Sequence, residues 1–183
     1  MKVVVMILTL NIQSDYLRFN DIKHENLEEI LKWYNDVDKF MFATGIDTPV
    51  TLETLNQKYS EVIICRDEFF VGIYSSKEEN MVGVLKGRLQ DKNNDSVWIS
   101  SIVIDPCYQK TGIGSMSIDL LLGHLSENYD IKNAFLAVIE ENIAGIAFWK
   151  KQNFCELRRI QNHLKLGDKK HNVIVMHRCL NSI

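Results

Sequence analysis

The sequence predicts a mixed α/β fold in one piece. Apolar periodicity switches repeatedly between the twofold alternation of strands and the wider spacing of helices. No Gly/Ser-rich or Pro-rich linker and no internal repeat divides the chain. Its 183 residues, 46% hydrophobic and 25% charged, have the size and balance of one domain, expected to span residues 1–183.

Taken in order, residues 3–10 (VVVMILTL) are apolar but far short of the ~20 residues that cross a bilayer. Polar Asn11, Gln13 and Asp15 follow where a leader would carry a small-residue cleavage site. A buried or edge strand is expected there, in a soluble, cytoplasmic protein. Residues 16–22 (YLRFNDI) alternate as a strand, and residues 25–35 place Leu27, Ile30, Leu31 and Tyr34 at helical spacing. Turn material surrounds Gly45 and Pro49. A helix follows over residues 51–59, with Thr51 as its N-cap. Residues 68–74 and 81–89 read as strands joined by the polar stretch 75–80.

The β-branched run 97–104 (VWISSIVI) reads as a central strand, ended by Pro106. A helix is expected over residues 111–129, with Ile118, Leu121, Leu122, Leu125 and Tyr129 on one face. Residues 134–139 form another strand and 142–152 another helix. The closing strands cover 154–160 and 173–178, with residues 165–171 (KLGDKKH) as a polar tip.

A net charge of −3 argues against a general nucleic-acid binder. Cys65, Cys107, Cys155 and Cys179 lie far apart with no C-x-x-C pair, as expected of reduced, partly buried thiols in the cytosol. His24, His124, His163, His171 and His177 form no i, i+4 metal pair, so no metal site is expected.

The chemistry concentrates in residues 102–115, IVIDPCYQKTGIGS. A strand runs into a short loop, two glycines at i and i+2, and an amphipathic helix. Glycines let a backbone approach a ligand closely, and the unpaired amides of a first helical turn suit phosphate oxygens. The phosphate-loop pattern G-x-x-x-x-G-K-[ST] is absent. The dinucleotide pattern G-x-G-x-x-G fails because Ser117 replaces its third glycine. What stands there is Q-x-x-G-x-G, residues 109–114.

On these residues the chain resembles the GCN5-related N-acetyltransferases, whose acetyl-CoA loop is [QR]-x-x-G-x-[GA] after a strand ending like L-x-V-x-P. Here that strand end reads Ile102-Val103-Ile104-Asp105-Pro106. A downstream family pattern, N-x-x-A-x-x-[LF]-Y-x-x-x-G-F, meets Asn142, Gly145, Phe148, Trp149, Asn153 and Phe154. The resemblance implies a mixed, mostly antiparallel central sheet with helices on both faces. It implies acetyl-CoA as co-substrate and direct acetyl transfer to a primary amine. Backbone groups of Ile102, Val103 and Ile104 would pair with the pantetheine arm. Gln109 opens the loop in which Lys110, Thr111, Gly112, Ile113, Gly114 and Ser115 would hold the pyrophosphate, and the Asn142 side chain would bond the arm near its thiol end.

The acid/base half departs from the family. Trp149 occupies the place of the family's tyrosine acid, and no tyrosine follows Tyr129. Ala137 and Trp98 stand where relatives carry a base. The candidates left for catalysis are Glu141, which shares strand parity with Ala137, and Ser100, which shares it with Trp98. A route in which water takes the proton and the thiolate leaves unassisted stands beside them, since a thiol pKa near ~8.5 makes a fair leaving group. Asn153 replaces a helix-ending glycine and tolerates the same left-handed conformation.

The resemblance places the acceptor pocket between the N-terminal helices and the late hairpin. Trp33, Tyr34, Asp36, Asp38, Asp47, Glu53 and Tyr59 there suit a cationic amine. The expected acceptor is a small molecule such as a polyamine or an amino sugar, with no nucleic acid or membrane partner, on a monomer or homodimer. A protein α-amino group and a CoA-binding module without catalysis are the alternatives.

Overall fold

The computed structural model describes residues 8, 10–77, 80–90 and 95–180. Its strands are β1 (Ile12–Gln13), β2 (Leu17–Asp21), β3 (Glu68–Ser75), β4 (Met81–Leu89), β5 (Ser96–Ile104), β6 (Asn133–Ile139), β7 (Cys155–Leu166) and β8 (Lys169–Cys179). Its helices are α1 (Leu27–Asn35), α2 (Val37–Thr44), α3 (Leu52–Ile64), α4 (Ile113–Tyr129) and α5 (Ile143–Lys151). The strands form one eight-stranded sheet in the order β1-β2-β3-β4-β5-β6-β8-β7. Every neighbouring pair is antiparallel except β5 and β6. That parallel pair requires a crossover, and α4 supplies it.

The helices bury faces set by their sequences. Leu27, Ile30, Trp33 and Tyr34 form the inner face of α1. Thr51 caps α3, its side chain accepting from Thr54 N–H at 3.2 Å. Leu121, Leu122 and Leu125 anchor α4. Two main layers of core result. Val71, Val97, Ile99, Leu136 and Met176 pack with α4, whereas Phe70, Val84 and Val103 pack with α1 and α3 on the opposite face.

Three expectations change. Residues 37–44, unassigned in the sequence, form α2. Asp36 O accepts from Lys39 and Phe40 N–H, and Gly45 ends the helix at φ 70°, but only Phe40 is buried, so the apolar stripe is too thin to read. The polar tip of the last hairpin is narrower than 165–171, because β7 continues to Leu166 and β8 begins at Lys169. The four cysteines are exposed rather than partly buried. The strand expected over residues 3–10 lies outside the described residues apart from Leu8 and Leu10, both buried.

Candidate active site

β5 and β6 touch over three residues only, Ser96–Trp98 against Asn133–Phe135. Beyond them β6 keeps only its pairing with β8, as far as Ile139, and β5 continues against β4 as far as Ile104. The sheet therefore splits, and the β6-facing edge of β5 is bare from Ile99 onward. At the split β5 carries a bulge: Lys86 pairs with Ser101 and Gly87 with Ile99, leaving Ser100 extra. The extra residue shifts parity. Val97 and Ile99 face α4, as do Ile102 and Ile104 further on, so Ser100 and Ser101 both reach the face covered by α1–α3.

Hydrogen-bonding direction alternates along a strand. Asp105 N–H donates to Val82 O at 2.9 Å, so the backbone groups of Val103 also turn towards β4. Ile102 and Ile104 present theirs to the gap, and Val103 does not. Ile104 O already accepts from Gln109 Nε2 at 2.9 Å. Gln109 thus braces the loop against the strand end.

Lys110 has φ 61° and Gly112 φ 95°. This left-handed pair folds the chain back so that α4 begins at Ile113 with its axis aimed into the loop. No side chain caps that helix start, so its first amides, and the positive end of its dipole, face the loop. Thr111 Oγ donates to Tyr108 O at 2.6 Å. Ser115 Oγ accepts from Gln152 Nε2 at 2.7 Å, tying the helix start to the end of α5. A Cβ on Gly114 would stand 3.3 Å from the Phe148 ring. Phe148, Trp149 and Phe154 stack edge to face behind it. Trp149 is buried at 8% exposure and serves as core.

Across the gap, α5 opens at Asn142, whose Oδ1 accepts from Gly145 N–H at 2.9 Å. Its Nδ2 is left as a donor. Gly145 is glycine because a Cβ there would lie 2.4 Å from Nδ2. Asn153 ends this segment at φ 61°, the conformation expected of it.

Glu141 and Ser100, the two catalytic candidates, are not brought together. Glu141 Oε1 lies 3.1 Å from His171 Nδ1 and 3.3 Å from Lys169 Nζ. A hydrogen bond from its own backbone N–H, then those from Lys169 and His171, hold its carboxyl below the usual carboxylate range against a small burial penalty. That makes Glu141 a weak proton acceptor. His171 is 7% exposed and its ring meets Phe42 of α2 edge-on. The sequence singled out Glu141 but not His171, because only the β8 register brings the two side by side.

Ser100 is exposed, and with Ser101 it walls a cavity of about 180 Å³ between β4–β5 and α3. Tyr34 and Tyr59 line it too. Burial, opposed by a hydrogen bond with Ser101, pushes the Tyr34 hydroxyl up to about 12. Of the acidic residues expected around the acceptor, Asp36 pairs with Lys39 at 2.6 Å, Asp47 accepts from Gly167 N–H at the tip of the last hairpin, and Asp38 and Glu53 are exposed. Trp33 is core, and its Nε1 donates to Asp105 Oδ2 at 2.9 Å. Among the described residues no cluster suits a metal ion, and no helix is long and apolar enough to cross a membrane.

Known proteins share this arrangement. The family model for the acetyltransferase (GNAT) domain matches residues 20–175. The spermine/spermidine N(1)-acetyltransferase of Bacillus subtilis is 32% identical over 74 residues, 40% of this chain and 49% of that protein. The matched stretch thus spans about half the length of that relative. The spermidine N-acetyltransferase of Vibrio cholerae, solved with CoA and spermine, superposes with a TM-score of 0.78 at 16% identity, covering 91% of this chain and 96% of that one. The Salmonella typhimurium acetyltransferase that modifies the N-terminal serine of ribosomal protein L7/L12 superposes with a TM-score of 0.80 at 18% identity, covering 92% and 97%. With its loop, split sheet and match to the domain over residues 20–175, the chain belongs to the GNAT acetyltransferase family.

Proposed function

We propose that this protein transfers an acetyl group from acetyl-CoA directly to the primary amine of a small molecule of the polyamine or amino-sugar class. The bare edge of β5 running into an uncapped, glycine-led helix start carries the reading. Ile102 and Ile104 offer the pantetheine arm a strand to pair with. The first amides of α4, from Ile113 to Ser115, meet the pyrophosphate with Lys110 beside them. Asn142 Nδ2 donates to the arm from the opposite wall. The polyamine half of the acceptor class is supported by the Bacillus subtilis relative.

Only the neutral amine attacks the thioester, so a proton must leave it. Glu141 acts through His171. A carboxylate bonded to Nδ1 holds the ring in the tautomer whose Nε2 is a free acceptor. Ser100, at the bulge, donates to the acceptor rather than taking its proton, since an unassisted hydroxyl is a poor base. With no tyrosine on α5, the thiolate leaves unprotonated.

The test is calorimetry with CoA and a thiol-release assay with acetyl-CoA over a panel of amines. Micromolar uptake of CoA and amine-dependent release are expected. Absence of CoA uptake overturns the proposal. Uptake with no release above background from any amine turns the protein into a CoA-binding module.

A further inference from the structure

The cavity beside the bulge has Ser100 and Ser101 of the split edge in its wall. Among the described residues its charges come from Lys58 of α3 and Lys86 of β4, and no carboxylate is in its lining. Lys86 is answered in part by Glu68 at 3.5 Å, with both side chains mostly buried. Lys58 makes no ion pair among the described residues. The remaining polar groups are hydroxyls: Ser100, which has no partner among the described residues, the Tyr34–Ser101 pair, and Thr44 and Tyr59, which donate to Phe40 O and Ile22 O. Tyr34 stays protonated throughout the physiological range.

A polycation in this space would meet like charge at the rim and find no carboxylate within. The lining has the opposite chemistry, two ammonium groups and a set of hydroxyls around an apolar floor. Such a lining recognises an anionic oxygen group on a hydroxylated carbon frame. Ser100 and Ser101 also lie on the bare edge of β5, immediately before Ile102. Whatever fills the cavity therefore lies next to the place assigned to the thioester.

We propose that this cavity receives the part of the acceptor remote from the reacting amine, and that this part is hydroxylated and bears a phosphate or carboxylate. The inference rests on the acetyl-transfer reading and narrows its acceptor class from polyamines to the amino-sugar side. Lys58 is the specificity-determining residue, meeting the anion at the rim.

The experiment compares spermidine, glucosamine, glucosamine 6-phosphate and the corresponding amino uronic acid, both as substrates in thiol release and as ligands by calorimetry. It uses the wild-type protein and Lys58→Gln. Lys58 is exposed on α3, and circular dichroism checks that the variant folds. At least one anionic amine should exceed glucosamine in kcat/KM by about fivefold, the upper end of what one exposed ion pair supplies. In Lys58→Gln that ratio should fall close to one while the KM for acetyl-CoA stays unchanged. Preference for the phosphate arm, the uronate arm or both identifies the anion. The inference is overturned if glucosamine or spermidine is preferred by the wild-type protein, or if the ratio survives Lys58→Gln. If no amine releases CoA, the transferase reading fails by itself. Binding of the anionic sugars that Lys58→Gln abolishes would then still establish the cavity, and equal binding by both proteins would refute it.

Discussion

Gly112 and Gly114 share one motif and do different work. Gly112 holds φ 95° with nothing within 4 Å of where a Cβ would stand, so its requirement is conformational alone. Gly112→Ala should cost about 1–2 kcal/mol of left-handed strain and weaken CoA binding about tenfold, read by calorimetry beside urea melts. Gly114 is limited by space: alanine needs the Phe148 ring to give way by a few tenths of an ångström, whereas valine blocks the helix start. CoA affinity should therefore fall in the order wild type, Gly114→Ala, Gly114→Val. At the proton-transfer step, His171→Gln should lower kcat about 100-fold with little change in the KM for acetyl-CoA. Glu141→Gln should lower it less and shift the acidic limb of the kcat profile, and Ser100→Ala should cost only a few-fold. A His171→Gln variant of wild-type kcat would return the proton to water. The glycines were legible in the sequence because their spacing is local. His171 was not, since its partner is 30 positions away.

The short helix α5 shows how one cap does two jobs. Asn142 satisfies the Gly145 amide through Oδ1 and, on the proposed reading, offers Nδ2 to the cofactor. Asn142→Ala should destabilise the protein by about 1 kcal/mol through loss of the cap and weaken CoA as well. Asn142→Asp should restore the stability but not the affinity, because aspartate caps a helix and has no N–H to offer. Denaturant midpoints and CoA titrations on the pair separate the roles; parallel changes in both would mean that Asn142 is a cap and nothing more. Element by element, the apolar periods of β3, β4, β5 and α4 announced themselves. α2 did not, with one buried residue in eight, although Asp36 before it and Gly45 after it are start and stop signals of the ordinary kind.

Across the whole fold, Tyr34 joins α1 to β5 through its bond to Ser101 and adds a pH dependence to stability. Its folded pKa, about 12, lies above the ordinary phenol value of 10.0. The stability it confers is complete below pH ~10 and is lost as pH rises through about 12, a total of roughly 3 kcal/mol. Urea melts between pH 8 and 12 should show a steeper alkaline loss for the wild type than for Tyr34→Phe. Superimposable slopes would show that the phenol is better solvated than its position implies. Trp33, whose indole reaches Asp105 at 2.9 Å, makes a second such link, joining the helical layer to the loop that turns towards α4.

The sequence by itself determined the parts whose information is local: strands and helices from apolar period, the Thr51 and Asn142 caps, the left-handed turn at Asn153, and the loop that marks the family. The missing tyrosine and carboxylate were equally plain, being simple absences from fixed positions. Only the tertiary structure decided what depends on register between distant strands. The split between β5 and β6, the bulge that turns Ser100 and Ser101 to one face, the Glu141–His171 contact and the lysines around the cavity are all of that kind. A strand's own sequence fixes which residues share a face, but a neighbour fixes where that face stops, and here, among the described residues, β5 has β4 on one side and, after three residues, no paired strand on the other.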